Sequence, residues 1–159
     1  MKNSAVSFFS WAPLENISAV SNDLEGVLDL ETGSFYFRIP VNTFVFPSSL
    51  MQQHFNDNYL ESDKFPTSSF KGNINKSLFQ NINIGELFSM QSVGVFNLHG
   101  VDQDVSINVF LEKNSSEKIN IFSEFEIALK NYKIKVPKIV RMNIADTILV
   151  KVTGQLILE

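Results

Sequence analysis

The chain has no cysteine, two histidines, one tryptophan and no excess of positive charge, and each shortage closes off a class of function. Without cysteine, no disulfide can staple the fold, so 159 residues must cohere through their core alone. A single domain spanning 1–159 can do this, because chains of that size bury roughly 68–70% of their unfolded surface. The missing thiols do not decide the compartment: a disulfide would argue for export, but its lack argues for neither side. A formal net charge of −4, spread along the chain, excludes nucleic acid as a partner, since phosphate binding needs a basic face. The lysines from Lys130 to Lys138, interrupted by Asn, Tyr, Ile and Val, read as the solvent face of an edge segment. Apolar runs are a few residues long, against the ~18–20 of a membrane-spanning helix, so no integral membrane segment is expected. The first residues, Met1 to Trp11, lack the long apolar core of a signal peptide. The expectation is a cytoplasmic protein, or an exported one whose signal has been removed.

What the chain does have is phenylalanine: 15 of them, against three tyrosines. Phenylalanine supplies bulk with no polar handle, which predicts an unusually uniform hydrocarbon interior. Most of the sequence alternates at a period of two, the signature of half-buried strands. Residues 5 to 22 read as two strands joined near Ala12-Pro13, and Val27 to Leu30 opens a third. Glu31-Thr32-Gly33-Ser34 is a hairpin turn, followed by a strand with Phe35, Phe37, Ile39 and Val41 on one face. The apolar phase then slips to Phe44 and Phe46, which predicts a bulge near Asn42, with Pro40 at an edge or in the bulge itself. Residues 75–90 are weakly patterned and read as loop. Strands follow at Val93–Leu98, at Val105–Leu111, at Ile119–Leu129 and from Asp146 to Leu158.

One stretch breaks the β pattern. Leu50, Met51, His54 and Phe55 share a helical face, Ser48 or Ser49 can cap that helix, and Phe65-Pro66 ends it. A short helix at about 48–60 in a β-protein covers an open end. Leu50, Met51, Phe55 and Leu60 are its expected anchors, and Asn56, Asp57, Asn58, Glu61, Ser62, Asp63 and Lys64 supply its polar outer face.

His54 and His99 could share a metal with Asp57, Glu61 or Asp102, but no ligand cluster has the spacing of a zinc site. The plainer reading packs His54 on the helix face and bonds His99 to its own turn. Asp102 and Asp104 read as turn residues. No nucleophile elbow, phosphate loop or His-Glu-x-x-His motif is present. The expectation is therefore a non-enzymatic protein without metal or cofactor. Short antiparallel strands closing on themselves give an up-and-down barrel or a sandwich, and long, nearly unbroken apolar faces favour the barrel. An eight-stranded barrel is at the size where the interior is either filled or open to one apolar ligand. Periodicity leaves those two options level.

Two motifs shift the balance. His54 followed by Tyr59-Leu60-Glu61-Ser62-Asp63-Lys64-Phe65-Pro66-Thr67-Ser68-Ser69-Phe70 resembles the YceI-like, polyisoprenoid-binding family. So does Gly94-Val95-Phe96-Asn97-Leu98-His99-Gly100-Val101 with Asp104-Val105-Ser106-Ile107. The lid departs from the family, with Met51-Gln52-Gln53-His54-Phe55 where many members carry Arg-Asp-x-His-Leu. The resemblance implies an all-β, eight-stranded antiparallel, lipocalin-like barrel with one helix over an end. It also implies binding or transport of a long apolar lipid (polyisoprenoid, isoprenoid quinone or fatty-acid-like chain) in the periplasm or outside the cell. The alternative is a filled barrel serving as a structural or interaction module, and homodimerisation is open. The residues expected to line a cavity are Phe35, Phe37, Ile39, Phe55, Phe70, Phe96, Leu98, Ile107, Val109, Phe125 and Ile127.

Overall fold

Alternating apolar residues need a second surface to bury against, and here one sheet provides it by curling on itself. The computed structural model describes residues 1–77 and 82–157. Its strands are β1 (Lys2–Trp11), β2 (Asn16–Ser21), β3 (Glu25–Leu28), β4 (Ser34–Pro40), β5 (Thr67–Asn73), β6 (Leu87–Leu98), β7 (Val101–Lys113), β8 (Lys118–Ala128) and β9 (Thr147–Ile157). All pairings between them are antiparallel, in the order β2-β1-β9-β8-β7-β6-β5-β4-β3.

The strands at the two ends of that order, β2 and β3, are separated in the chain by Asn22–Leu24 alone. A link that short spans on the order of 14 Å, so the sheet must curl strongly enough to bring its two edge strands near each other. The seam is held by single contacts rather than a ladder. Val20 and Val45 exchange backbone bonds of 3.2 and 2.8 Å, and the Ser4 hydroxyl donates to the Leu24 carbonyl at 2.9 Å. Nine strands appear where eight are expected because this break divides one path in two. Its first part pairs with β1 and its second with β4.

Several local expectations are corrected. The third strand stops at Leu28, because the Asp29 carboxylate accepts from the amides of Glu31 and Thr32 and folds Asp29-Leu30 into the turn. The phase slip after Pro40 comes from a 3₁₀ turn at Val41–Thr43, not a bulge, and it buries Val41, Phe44 and Phe46 together. Pro40 lies beyond the last pairing of β4 with β3, where a missing N–H breaks no ladder bond. β6 begins at Leu87 rather than Val93, so the expected loop of 75–90 is four residues too long at that end. Of that loop, residues 78–81 lie outside the described residues, as does Leu158. The lysine-rich stretch is not an edge strand: it is a loop with 3₁₀ turns at Leu129–Tyr132 and Lys138–Val140.

Helix α1 (Ser49–His54) runs on into a π-helical turn at Phe55–Tyr59. Ser48 caps it by accepting from the Met51 amide at 3.4 Å. The Asn56 side chain donates to the Gln52 carbonyl at 2.9 Å, the acceptor a regular helix would offer to the Asn56 amide. The Leu60 amide then reaches back to Phe55 at 2.9 Å, which widens the turn. The helix ends at Tyr59, before Phe65-Pro66, with Glu61 at a φ of 45°.

Two core clusters pack within the sheet's interior. The one beneath the helix holds Val41, Phe44, Phe46, Leu60, Tyr132 and Ile134, and the opposite one holds Ile82, Met90, Leu111, Ile119 and Leu156.

Candidate functional site

Between these clusters the curled sheet lines a partly open cavity of about 440 Å³. That lies within the usual range of small-molecule sites, roughly 300–1,000 Å³. The cavity reaches from Phe46 and Ile134 at the helical end to Met90, Leu111 and Leu156 at the other.

Each of the eleven residues expected to face a cavity has its side chain in this wall. Phe35, Phe37 and Ile39 come from β4, Phe70 from β5, Phe96 and Leu98 from β6. Ile107 and Val109 come from β7, Phe125 and Ile127 from β8, and Phe55 from the helix. Phe70, Phe96, Val109 and Phe125 point inward yet are only half-buried, because part of their surface meets the void. Their rings form a chain: Phe35 to Phe70 at 4.8 Å, Phe70 to Phe96 at 6.4 Å, Phe96 to Phe125 at 5.8 Å.

Sequence reasoning missed part of the wall. Phe8, Phe44 and Phe46 complete an aromatic group around Phe55, which lies 5.5, 5.8 and 5.0 Å from their rings. The alternation that identified Phe35 marks Phe8 equally well. Met90 was missed because it falls in the stretch that reads as loop, and Ser92 because it lies just before the expected strand. Ser92 is the unusual member. Of the four buried serines in the wall, Ser10 accepts from the Ala145 amide at 2.9 Å, and Ser68 and Ser123 each donate to a carbonyl at 2.7 Å. The Ser92 hydroxyl has no partner among the described residues.

The helix covers one end of this space. Met51, Phe55, Tyr59 and Leu60 pack against the core beneath it, and burial raises the Tyr59 phenol above its ordinary value. Leu50 is not an anchor, because it points to solvent. Ser62, expected on the outer face, is buried, and the Asn56 amide oxygen is buried without a partner among the described residues.

A clasp holds the chain just past the helix. His99 and Gly100 both have positive φ, 52° and 69°, as a two-residue hairpin turn requires. A side chain at Gly100 would approach the Phe65 ring to 2.5 Å, so glycine lets that ring lie edge-on to His99 at 4.5 Å. His99 Nδ1 donates to the Tyr132 carbonyl at 3.0 Å, and Nε2 meets Glu61 at 2.8 Å. A carbonyl can only accept, so Nδ1 is the donor in the first bond, which leaves Nε2 to face the Glu61 carboxyl. The His99 bond holds the Glu61 carboxyl below its ordinary value.

This corrects the expectation that His99 bonds its own turn. Both ring nitrogens of His99 are engaged in these bonds, while His54 is exposed on the helix. No group of three metal-ligating side chains occurs among the described residues. Asp102 and Asp104 lie on β7, where Asp102 accepts from Asn97 at 2.6 Å, rather than in the turn. No helix among the described residues is long and apolar enough to cross a membrane.

With this geometry in view, the likenesses to known proteins are informative. Residues 1–156 match the YceI-like domain. A polyisoprenoid-binding domain from Saccharophagus degradans, implicated in plant cell wall breakdown, superposes with a TM-score of 0.87 at 14% identity. That alignment covers 98% of this chain and 94% of the other. BcnA of Burkholderia cenocepacia superposes at 0.78 with 14% identity, over 96% and 95% of the two chains. The YceI protein of Campylobacter jejuni does so at 0.63 with 14% identity, over 87% and 83%. No curated protein matches the sequence. At these identities the structures establish a shared fold, and the domain match over nearly the whole chain establishes descent: the protein belongs to the YceI-like family.

Proposed function

We propose that the protein binds one long apolar lipid inside the barrel-like sheet and carries it without chemical change. The observation that supports this most is the cavity itself: about 440 Å³ walled almost wholly by hydrocarbon side chains. A filled barrel would leave no void of that size, which argues against a purely structural module. Affinity comes from burial at roughly 25 cal/mol per Å², or about 0.8 kcal/mol per methylene. A polyisoprenoid, an isoprenoid quinone or a fatty-acid-like chain suits such a wall, and the polyisoprenoid-binding relative favours the first. The periplasm or cell exterior is the proposed compartment, with the cytoplasm as the alternative. Fractionating producing cells separates the two.

Native mass spectrometry of the purified protein, followed by organic extraction, tests the binding. The expected result is a released lipid, or uptake of added prenols or fatty acids. Affinity should rise about fourfold per methylene until the cavity is full. Protein that neither releases nor gains a lipid would count against the proposal.

A further inference from the structure

The β8–β9 loop concentrates positive charge in a chain that is negative overall. Between Glu126 and Asp146 every ionised side chain is positive (Lys130, Lys133, Lys135, Lys138 and Arg141) in a chain of net charge −4. All five are exposed, and their side chains have no hydrogen-bond or ion-pair partner among the described residues.

Apolar side chains stand beside them. Ile139 on the same loop is 89% exposed, and Met142, Leu14 and Trp11 are each more than half exposed. Backbone and side-chain bonds hold the β1–β2 hairpin against the loop. The Leu14 amide donates to Met142 at 2.8 Å, and the Asn143 side chain donates to Glu15 at 3.2 Å. These outward groups adjoin the cavity wall, with Leu14 next to Glu15 and Ile139 next to Val140. One loop therefore lines the cavity with one side chain and presents the next to solvent.

We propose that this loop and the β1–β2 hairpin dock onto an anionic lipid bilayer, placing the cavity wall against the membrane that supplies or receives its lipid. The role in exchange rests on the proposed lipid binding, whereas the docking does not. Unpaired cations seek anionic headgroups, and exposed apolar groups among them gain by entering the interface. Tryptophan favours that interface in particular. Charge also distinguishes this end from the other. Ile84 and Leu87 are exposed there too, but Glu86 lies between them. The helical segment carries Asp57 and Asp63, so the contact centres on the loop and hairpin rather than on the helix.

Trp11 is the sole tryptophan, which makes its fluorescence a site-specific reporter. The full-length protein is mixed with phosphatidylcholine vesicles, with or without phosphatidylglycerol, at low and high salt. Docking predicts cosedimentation and a blue shift of Trp11 emission with the anionic vesicles only, both weakened by salt. The double variant K133E/K138E should bind them about tenfold more weakly or worse. Ile139→Ser should reduce the blue shift, and Leu87→Ser at the opposite end should leave binding unchanged. Equal binding by wild type and K133E/K138E, or no binding to anionic vesicles, would overturn the proposal. A blue shift that depends on protein concentration without vesicles would also overturn it, since it would make the patch a contact between two copies. Uptake of a prenol from cyclodextrin, with no vesicles present, reports on the cavity separately. A protein can thus fail one test and pass the other.

Discussion

The two ends of the curled sheet are closed by different means. At the helical end, Phe8, Phe44, Phe46 and Phe55 meet ring to ring, and Glu61 just beyond the helix is clasped by His99. At the other end, small aliphatic groups interlock: Ile82, Leu111, Ile119 and Leu156 are all at least nine-tenths buried, and Ile119 is 1% exposed. The aliphatic end is laid down by long paired strands, whereas the helical end is a separate segment resting on a few side chains. An element with few buried contacts opens at lower free energy than the sheet around it. If the cavity takes up a lipid as proposed, the helical end is therefore the expected gate and the aliphatic end the base.

The largest effect should come from the base. Ile119→Ala should cost about 2–5 kcal/mol in urea unfolding, with prenol release unchanged, because Ile119 is packed behind the cavity wall. Phe55→Ala removes the ring at the centre of the gate. It should cost less than about 3 kcal/mol, because that ring is only half-buried, and it should speed release in a stopped-flow assay. Faster release from Ile119→Ala than from Phe55→Ala would reverse the assignment of gate and base.

Amide exchange sharpens the same contrast without mutation. Residues 48–64 should exchange faster than β6 and β7 in lipid-free protein, and should slow when prenol binds. Exchange as slow in the helix as in the strands would make the helix a permanent part of the core.

The clasp should make the gate acid-sensitive. His99 holds the Glu61 carboxyl below its ordinary 4.5, so the contribution of Glu61 is complete above that pH. It is lost as the pH falls from there through the lower folded value. Glu61→Gln should flatten the acid limb of the stability curve in that window, as measured by thermal unfolding against pH. An acid limb identical to wild type would show that the clasp does not respond to acid.

The smallest effect separates two serines of the wall. Ser123→Ala should destabilise by about 1 kcal/mol, because its hydroxyl bonds the Asn108 carbonyl. Ser92→Ala should be neutral or slightly stabilising in chemical denaturation, because its hydroxyl bonds nothing among the described residues. A loss equal to that of Ser123→Ala would mean Ser92 has a structural partner.

By itself the sequence determined which side chains face inward. A period of two admits only two faces, so the alternation from Phe35 to Ile39 and from Ile119 to Ile127 placed those residues without tertiary knowledge. It also located the helix, because Ser48 and the Leu50–Phe55 spacing are local signals. Local signals failed where distant contacts decided the outcome. Leu50 fits the apolar pattern yet faces solvent, because the π turn and the anchors Met51 and Phe55 set how the helix is rotated. Residues 87–92 lack a strong pattern yet form strand, because β7 offers them a full ladder from Glu112 to Ile107. His99 is bonded to Glu61, 38 residues away, and to Tyr132, 33 residues away, partners that no spacing rule connects. The void follows the same logic. Alternation says that a wall is apolar, but only the curl of the sheet decides whether opposite walls meet, and here they stop short of contact and leave about 440 Å³ between them.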